Sequence, residues 1–200
     1  MDAPNLILVH GIFNQGRMFW KMAHHFSQRG YQVTAPDLVP NSASTSLTFL
    51  SEQLDRHIRE QIPEGQAYHL LGFSMGGLVS RHYLQEHADL DRVLSYTTLS
   101  TPHHGTLNAW LMPWPGWREM RKNSAFLKQL EANDHRIAER LHPLSLWTPM
   151  DLTILPANSS VWEIAQNESI PVAMHPVMRH STRVIQRVET HLEEANLARA

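Results

Sequence analysis

Residues 70–77 read Leu-Leu-Gly-Phe-Ser-Met-Gly-Gly, a G-x-S-x-G motif between a predicted strand and a predicted helix. A serine hydroxyl is a weak nucleophile unless it is exposed, oriented and paired with a base. A tight strand-to-helix turn supplies exposure and orientation, and glycines two residues either side let the backbone bend sharply and the helix pack closely. Ser74 is therefore the predicted nucleophile, with Gly72 and Gly76 as the supporting glycines of the turn.

On both sides of this motif, short apolar runs alternate with amphipathic segments of helical length. This alternation is typical of an α/β fold, and it predicts a mostly parallel sheet of about six strands with helices on both faces. Strands are predicted at residues 6–9, 32–35, 68–71, 93–99, 144–147 and 170–173. Helices are predicted at residues 18–29, 46–61, 75–87, 160–166 and 181–195.

The alternation breaks between residues 103 and 143, where the sequence predicts a short Trp-rich, helical insertion in a single domain covering residues 1–200. Three tryptophans and two prolines lie between residues 107 and 117, and the prolines disfavour a regular helix there. Two interpretations remain open. The insertion is a packed excursion over the sheet edge, or it is a cap that forms an apolar pocket over the nucleophile.

The composition narrows the class of protein. Seventeen basic and nineteen acidic residues give a formal net charge of -2, so no nucleic-acid partner is indicated. The chain has no cysteine, which excludes disulfides, thiol catalysis and Cys-ligated metals. Its fourteen histidines lack metal-ligand spacing, so no metal and no cofactor are expected. We see no transmembrane run and no export signal, and we expect a cytoplasmic protein.

A serine nucleophile needs a histidine base, and the histidine needs an acid that orients it. In a parallel sheet, the loops that follow the strands meet at one edge, so the partners of Ser74 are expected just after later strands. Asp151 follows the predicted strand 144–147, and His175 follows the predicted strand 170–173. The resulting order of nucleophile, acid and histidine is the one expected of an α/β-hydrolase triad.

Other acids fit the role of orienting acid less well. Asp134 lies in a helical part of the insertion, where we expect a solvated face. Asp37 follows the second predicted strand and is interpreted as a turn or cap residue. Asp89 and Asp91 precede the fourth strand, at the wrong end of the sheet. Asp151 therefore remains the predicted acid.

Two further histidines compete with His175 for the role of base. His180 lies five residues further on, but it directly precedes the last predicted helix and is interpreted as an exposed residue before the helix cap. His191 lies within that helix and is expected at the surface. His175 therefore remains the predicted base.

Acyl transfer also needs donors for the oxyanion of the tetrahedral intermediate. The backbone N–H of Met75 is one predicted donor, because it starts the helix after Ser74 and helix N-termini favour negative charge. The second is the N–H of Ile12, in the loop after the first strand. Gly11 lets this loop approach the nucleophile, and His10 precedes it at the end of the strand.

With these residues in place, nearly the whole chain resembles the α/β-hydrolase superfamily, and particularly its lipase- and esterase-like branch, which includes bacterial triacylglycerol lipases and relatives of the GPI-inositol deacylases. The pair His10-Gly11 resembles the oxyanion loop of that branch, and residues 72–76 resemble its nucleophile elbow. Residues 101–106, Thr-Pro-His-His-Gly-Thr, are similar to a T-P-H-x-G-[ST] segment of the branch. In that branch this histidine is not usually the base, so His103 and His104 are left out of the predicted triad.

The end of the chain carries the same resemblance. Residues 151–156, Asp-Leu-Thr-Ile-Leu-Pro, look like the acid turn of the branch, and the spacing of His175 from the last helix matches its histidine segment. The first strand begins within a few residues of Met1, whereas the fuller family sheet has two strands before it, so a minimal version of the fold is expected. The insertion is also short for a mobile lid.

The resemblance implies a serine hydrolase that cleaves a small-molecule or lipid carboxylic ester through an acyl-enzyme. A thioesterase, an amidase or an acyltransferase could use the same triad. A non-catalytic binding protein with this fold is the alternative from another class, and the Trp-Pro segment 109–117 could serve as an interaction surface.

Overall fold

The computed structural model describes residues 4–199, which contain one six-stranded sheet in the order β2-β1-β3-β4-β5-β6. Every pair of neighbouring strands is parallel. The strands are β1 (Asn5–Val9), β2 (Gln32–Thr34), β3 (Tyr68–Phe73), β4 (Val93–Leu99), β5 (Leu144–Trp147) and β6 (Gln166–Ser169). The predicted α/β class with a parallel sheet is confirmed.

Helices cover both faces of the sheet, because its central strands are apolar on both sides. The helices are α1 (Trp20–Ser27), α2 (Leu47–Gln61), α3 (Met75–Glu86), α4 (Pro115–Glu119), α5 (Ala125–Ala132), α6 (Asp134–Ala138) and α7 (Thr182–Ala198). One apolar core lies under α1 and α7, and the other lies under α2, α3 and the insertion. Across residues 4–199, we find no helix with the length and apolar character that crossing a bilayer requires.

The strand order reverses direction between β1 and β3. The chain runs from β1 outward to β2, returns to place β3 on the other side of β1, and then continues to β6. At such a switch point, the loops after the two neighbouring strands diverge and leave a crevice at their carboxyl ends. The loop that contains Gly11 and the turn that contains Ser74 therefore border the same crevice.

The last strand differs from the prediction. Residues 170–173 do not form it, and β6 is the polar, mostly exposed segment Gln166–Ser169. The backbone N–H of Ile170 makes the last bond to β5, and Pro171 has no N–H with which to continue. An edge strand pairs on one side only, so its formation depends on backbone bonding rather than on an apolar pattern.

The helix predicted at 160–166 is also wrong. A short 3-10 turn at Ala157–Ser160 ends before it, and the side chain of Asn167 binds the backbone that follows. Its amide oxygen accepts from the N–H of Trp162 at 2.8 Å, and its amide nitrogen donates to the Trp162 carbonyl at 2.8 Å. These bonds satisfy the backbone in a turn and replace the bonds of a helix.

Residues 103–143 contain no strand, as the sequence predicts. A 3-10 turn at Leu107–Trp110 is followed by α4, α5 and α6. Pro115 occupies the first turn of α4, where a missing N–H has no cost. The insertion packs against α2 and α3 through buried side chains such as Leu127 and Leu130, so part of it belongs to the core.

Candidate active site

Ser74 lies at the turn between β3 and α3 with backbone angles of φ 54° and ψ −125°. A positive φ is strained for a residue with a side chain, and such strain clusters at functional sites. The backbone N–H of Ser74 donates to the Leu99 carbonyl at 2.8 Å, which ties the turn to β4. The Ser74 side chain does not cap α3, so its hydroxyl is not consumed by the helix.

The glycines on either side of Ser74 are required by close packing of α3 on the sheet. A Cβ atom at Gly76 would lie 2.3 Å from the carbonyl oxygen of Val9, and one at Gly72 would lie 2.5 Å from the Cα atom of Gly77. Real Cβ atoms do not come so close to backbone. Any larger residue would push the N-terminus of α3 away from β1 and move Ser74 with it.

Gly11 brings the loop after β1 against the serine. A Cβ atom at Gly11 would lie 3.0 Å from the Ser74 Cβ and 3.2 Å from the Phe73 carbonyl oxygen. The backbone at Gly11 therefore touches the predicted nucleophile, as expected for a loop that carries an oxyanion donor.

Hydrogen bonds of His10 orient the peptide that follows Gly11. The Leu38 N–H donates to His10 Nε2 at 2.9 Å, so the ring proton lies on Nδ1. That Nδ1–H donates to the Gly11 carbonyl at 2.8 Å, and the Asn14 N–H donates to the same carbonyl at 3.3 Å. Since the C=O and N–H of a trans peptide point in opposite directions, these bonds direct the Ile12 N–H away from His10. Within residues 4–199, no acceptor engages this N–H.

Burial lowers the pKa of His10, so the ring stays neutral in the tautomer that both of its hydrogen bonds require. Met75, the second predicted donor, is the first residue of α3 and is buried. The first N–H groups of a helix have no partner inside the helix, and the helix dipole favours an anion beside them. Met75 follows Ser74 in the chain and Gly11, which precedes Ile12, lies against Ser74, so the N–H groups of Ile12 and Met75 remain the predicted oxyanion donors.

Asp151 and His175 meet at the same edge of the sheet. His175 Nδ1 lies 2.7 Å from Asp151 Oδ2, and both side chains are buried. The second carboxylate oxygen of Asp151 accepts from the N–H groups of Thr153 and Ile154, each at 2.9 Å. Both oxygens are thus bonded, and His175 is left with Nε2 as its available nitrogen.

The hydrogen bonds of Asp151 determine its charge. Burial by itself would raise the pKa of Asp151, but the hydrogen bond and charge of His175 and the two backbone N–H groups outweigh burial. The pKa of Asp151 is therefore lowered, and the carboxylate is ionised at neutral pH. An ionised carboxylate holds the Nδ1 proton of His175 and directs Nε2 away from itself.

Phe73 connects the histidine to the serine turn. Its ring lies 4.7 Å from the His175 ring at 41°, and Phe73 directly precedes Ser74 in the chain. Both Ser74 and His175 are among the described residues, yet no hydrogen bond joins Ser74 Oγ to His175 Nε2. Such bonds are often long without substrate and tighten when it binds. The sequence reasoning missed Phe73, although its place inside the G-x-S-x-G motif was a usable signal.

The rejected candidates lie elsewhere. Asp37 accepts a 2.6 Å hydrogen bond from the Gly16 N–H, which agrees with a role in a turn. Asp89 and Asp91 both precede the start of β4, at the opposite end of the sheet. His180 is half-buried and precedes α7, so the prediction that it is exposed is wrong. His191 is 7% exposed rather than at the surface, because α7 packs this side chain against the sheet.

Asp134 contradicts the prediction of a solvated face. It is 8% exposed and forms a two-pronged ion pair with Arg81 of α3, at 2.9 and 2.7 Å. The indole N–H of Trp162 donates to Asp134 at 2.8 Å, and Gln85 donates at 3.1 Å. His103 stacks on Trp162 at 4.6 Å. We call Arg81, Asp134, Trp162 and His103 the buried ion cluster.

The histidine, aspartate and glutamate side chains of residues 4–199 do not gather in any group of three suited to a metal ion.

Comparison with known proteins identifies the family. Residues 4–180 match the family model of the alpha/beta hydrolase fold, so the chain belongs to that family. It is 32% identical over 103 residues to pyrethroid hydrolase of Sphingobium wenxiniae, covering 49% of this chain and 36% of that protein. It is 28% identical over 144 residues to the pimeloyl-[acyl-carrier protein] methyl ester esterase of Vibrio vulnificus, covering 72% and 53%. The matches thus span about half or less of each relative.

Solved structures with the same fold include two lipases. The mature Bacillus licheniformis lipase BlEst2 aligns with a TM-score of 0.75 at 17% identity, over 96% of this chain and 92% of that one. The Aspergillus fumigatus lipase B aligns with a TM-score of 0.74 at 14% identity, over 88% and 49%. At these identities the likeness establishes the fold.

Proposed function

We propose that this protein is a serine hydrolase that cleaves carboxylic esters through Ser74, His175 and Asp151. The observation that carries the proposal is the 2.7 Å bond between His175 and an ionised Asp151, which leaves Nε2 free at the edge where the strained Ser74 turn lies. A relative named as a methyl ester esterase and neighbours named as lipases support ester chemistry. On this basis, the proposed substrate is a small-molecule or lipid ester.

The reaction follows from the chemistry of these groups. His175 Nε2 accepts the hydroxyl proton of Ser74 as Oγ attacks the ester carbonyl carbon. The N–H groups of Ile12 and Met75 donate to the oxyanion that forms. The intermediate collapses as the alkoxide leaves, taking the proton from His175. Water, deprotonated by His175, then attacks the acyl-enzyme, and His175 returns that proton to Ser74 Oγ as the bond between Oγ and the acyl carbon breaks and the carboxylic acid is released.

Asp151 and His10 are proposed as positioning residues, which act through His175 and through the Gly11–Ile12 peptide. The Asp151 carboxylate keeps the His175 proton on Nδ1 and stabilises the cation formed during proton transfer. His10 holds the Gly11–Ile12 peptide so that the Ile12 N–H is directed at the oxyanion. Because the ring of His10 is buried and neutral, this support needs no change of charge during the reaction.

The test is hydrolysis of p-nitrophenyl esters from acetate to palmitate by the wild type and by Ser74→Ala. We expect turnover by the wild type and a loss of at least about 10³-fold in the variant, since the triad acts as a unit. Circular dichroism of Ser74→Ala checks that the fold is kept. Retained ester hydrolysis by a folded Ser74→Ala variant would refute the assignment.

Labelling with a fluorophosphonate separates the alternatives. Labelling of Ser74 without turnover of any ester would indicate a competent nucleophile with another substrate, such as a thioester or an amide. If neither labelling nor turnover is found, the protein is a non-catalytic member of the family.

A further inference from the structure

Phe13 places a large aromatic side chain at a backbone position that favours glycine. Its φ of 57° lies in the left-handed region, which is strained for a bulky aromatic residue, and its side chain is 57% exposed. Glycine at this position would remove both the strain and the exposed ring. Backbone strain of this kind, next to a loop that touches Ser74, points to a functional constraint.

Trp117 of α4 faces Phe13 from the insertion. The two ring centroids lie 6.0 Å apart at 53°. We call Phe13 and Trp117 the aromatic pair. It joins the loop after β1, which borders the crevice, to the insertion.

One short loop fixes both members of the pair. The Asn41 carbonyl accepts from the Phe13 N–H at 2.7 Å, and the carbonyl of the next residue, Ser42, accepts from the Trp117 indole N–H at 2.8 Å. The neighbouring Gly116 packs against the same loop, since a Cβ there would lie 2.8 Å from the Ala43 Cβ. The same loop therefore holds the backbone of Phe13 and the indole ring of Trp117.

Apolar residues precede both members of the pair in the chain, and a polar cavity borders Phe13. Ile12, Met112 and Trp114 are partly buried and pack on the core that contains Met75. Phe13 also borders a cavity of about 390 Å³ that is lined mainly by polar residues. The lining residues are Phe13, Asn14, Gln15, Arg17, Met18 and Asn41. An apolar chain therefore gains contact on the side of Trp117.

The pair is close enough to the reacting atoms to contact a bound ester. Gly11 touches Ser74, and Phe13 is two residues further along, at most about 7 Å of backbone. We infer that the aromatic pair binds the apolar chain of the ester substrate and sets the preference of the enzyme for chain length. This inference rests on the proposed ester hydrolysis at Ser74.

The experiment measures kcat/KM for p-nitrophenyl acetate, butyrate, hexanoate and octanoate, below their aggregation concentrations. For methylenes that contact the pair, we expect kcat/KM to rise by up to about fourfold each in the wild type. In Phe13→Gly the rise should shrink towards onefold per methylene. Glycine tolerates the positive φ, so the melting temperature should not fall.

Trp117→Phe and Phe13→Leu test the pair from both sides, and each should give an intermediate rise. Phe49→Ala is the matched control, because Phe49 is an exposed phenylalanine on α2 outside the pair. It should keep the wild-type increments.

A second series, with a fixed butyryl group and alkyl alcohols of growing length, locates the bound chain. If the variants lower the gain in kcat/KM per methylene in the first series, the pair binds the acyl chain. If they lower it in the second series, the pair binds the alcohol chain.

If a folded Phe13→Gly variant keeps the wild-type gain in kcat/KM per methylene in both series, the inference about the pair is overturned, even though turnover still depends on Ser74. Turnover that survives Ser74→Ala would instead refute the proposed function. The two failures are therefore distinguishable.

Discussion

The candidate active-site edge and the buried ion cluster each bury a carboxylate against a basic side chain, but they leave different atoms free. At the edge, Asp151 has both oxygens bonded, and its partner His175 keeps Nε2 without a partner among the described residues. In the interior, Asp134 and Arg81 bond each other twice, and Trp162 covers the pair. Burial and pairing therefore do not by themselves distinguish a catalytic pair, and the feature that sets the edge apart is the unbonded Nε2 of His175, which we propose as the base for Ser74.

The pKa values of the Asp134 and Asp151 carboxyl groups also shift in opposite directions. Burial raises the pKa of Asp134, and the charge of Arg81 and the bond from Trp162 offset it in part. Burial acts on Asp151 in the same direction, but the bonds from His175 and from two backbone N–H groups prevail, and its pKa is lowered. Hydrogen bonds from fixed backbone donors stabilise an anion without a second charge to desolvate.

The largest expected effect is on catalysis at the edge. Asp151→Asn keeps the shape of the side chain but removes the charge that holds the Nδ1 proton of His175. We expect kcat for a p-nitrophenyl ester to fall by about 10⁴-fold, the scale known for loss of the triad acid. Steady-state kinetics of the wild type and the variant would measure this fall, and urea unfolding would check that the variant is folded. A fall of less than tenfold would remove Asp151 from the triad.

The corresponding change in the interior should act on stability instead. Asp134→Ala leaves the guanidinium of Arg81 buried and unpaired, which costs about 3–5 kcal/mol of unfolding free energy. The folded fraction should keep kcat within a few-fold of the wild type. The double variant Arg81→Met with Asp134→Leu should recover much of the stability, since no charge is then left unpaired. A stable Asp134→Ala variant with lost catalysis would reverse the roles of the two regions.

His69 extends the comparison to a buried group without a charged partner. It is fully buried in β3 and bonds Ser95 and Asn196, and burial lowers its pKa to about 4. The unfolded chain binds this proton near pH 6.5, so stability is complete above that pH and is lost as the pH falls towards 4. We expect a loss of about 3 kcal/mol over this window.

Urea unfolding at several pH values would measure this loss. In His69→Gln the slope of unfolding free energy against pH should become shallower between pH 6.5 and 4. The exposed His142 offers the control, since His142→Gln should keep the wild-type slope. An unchanged slope in His69→Gln would show that another group dominates acid unfolding.

The sequence was sufficient where local chemistry sets the outcome. The glycines around Ser74 and the apolar runs of β1, β3 and β4 predicted the turn and the sheet, because backbone geometry and burial act over a few residues. The same reasoning placed Asp151 and His175 after strands, and the structure brings them within hydrogen-bond distance. Their catalytic roles and that of Ser74 remain predictions.

The sequence was insufficient where a partner lies far along the chain. The sequence around Asp134 predicts a solvated helix residue, because its partner Arg81 lies 53 positions earlier in the chain. The edge strand β6 forms because β5 offers a free row of backbone groups, and no apolar pattern reports that.

Periodicity and spacing therefore predicted the elements other than β6 and the segment 160–166, and placed Asp151 and His175 in loops after strands, since these features follow from neighbours in sequence. Folding in three dimensions selected which charges are buried, how the Ile12 N–H is aimed and how Phe13 meets Trp117. Those features depend on contacts between distant segments, whose energies no local pattern encodes.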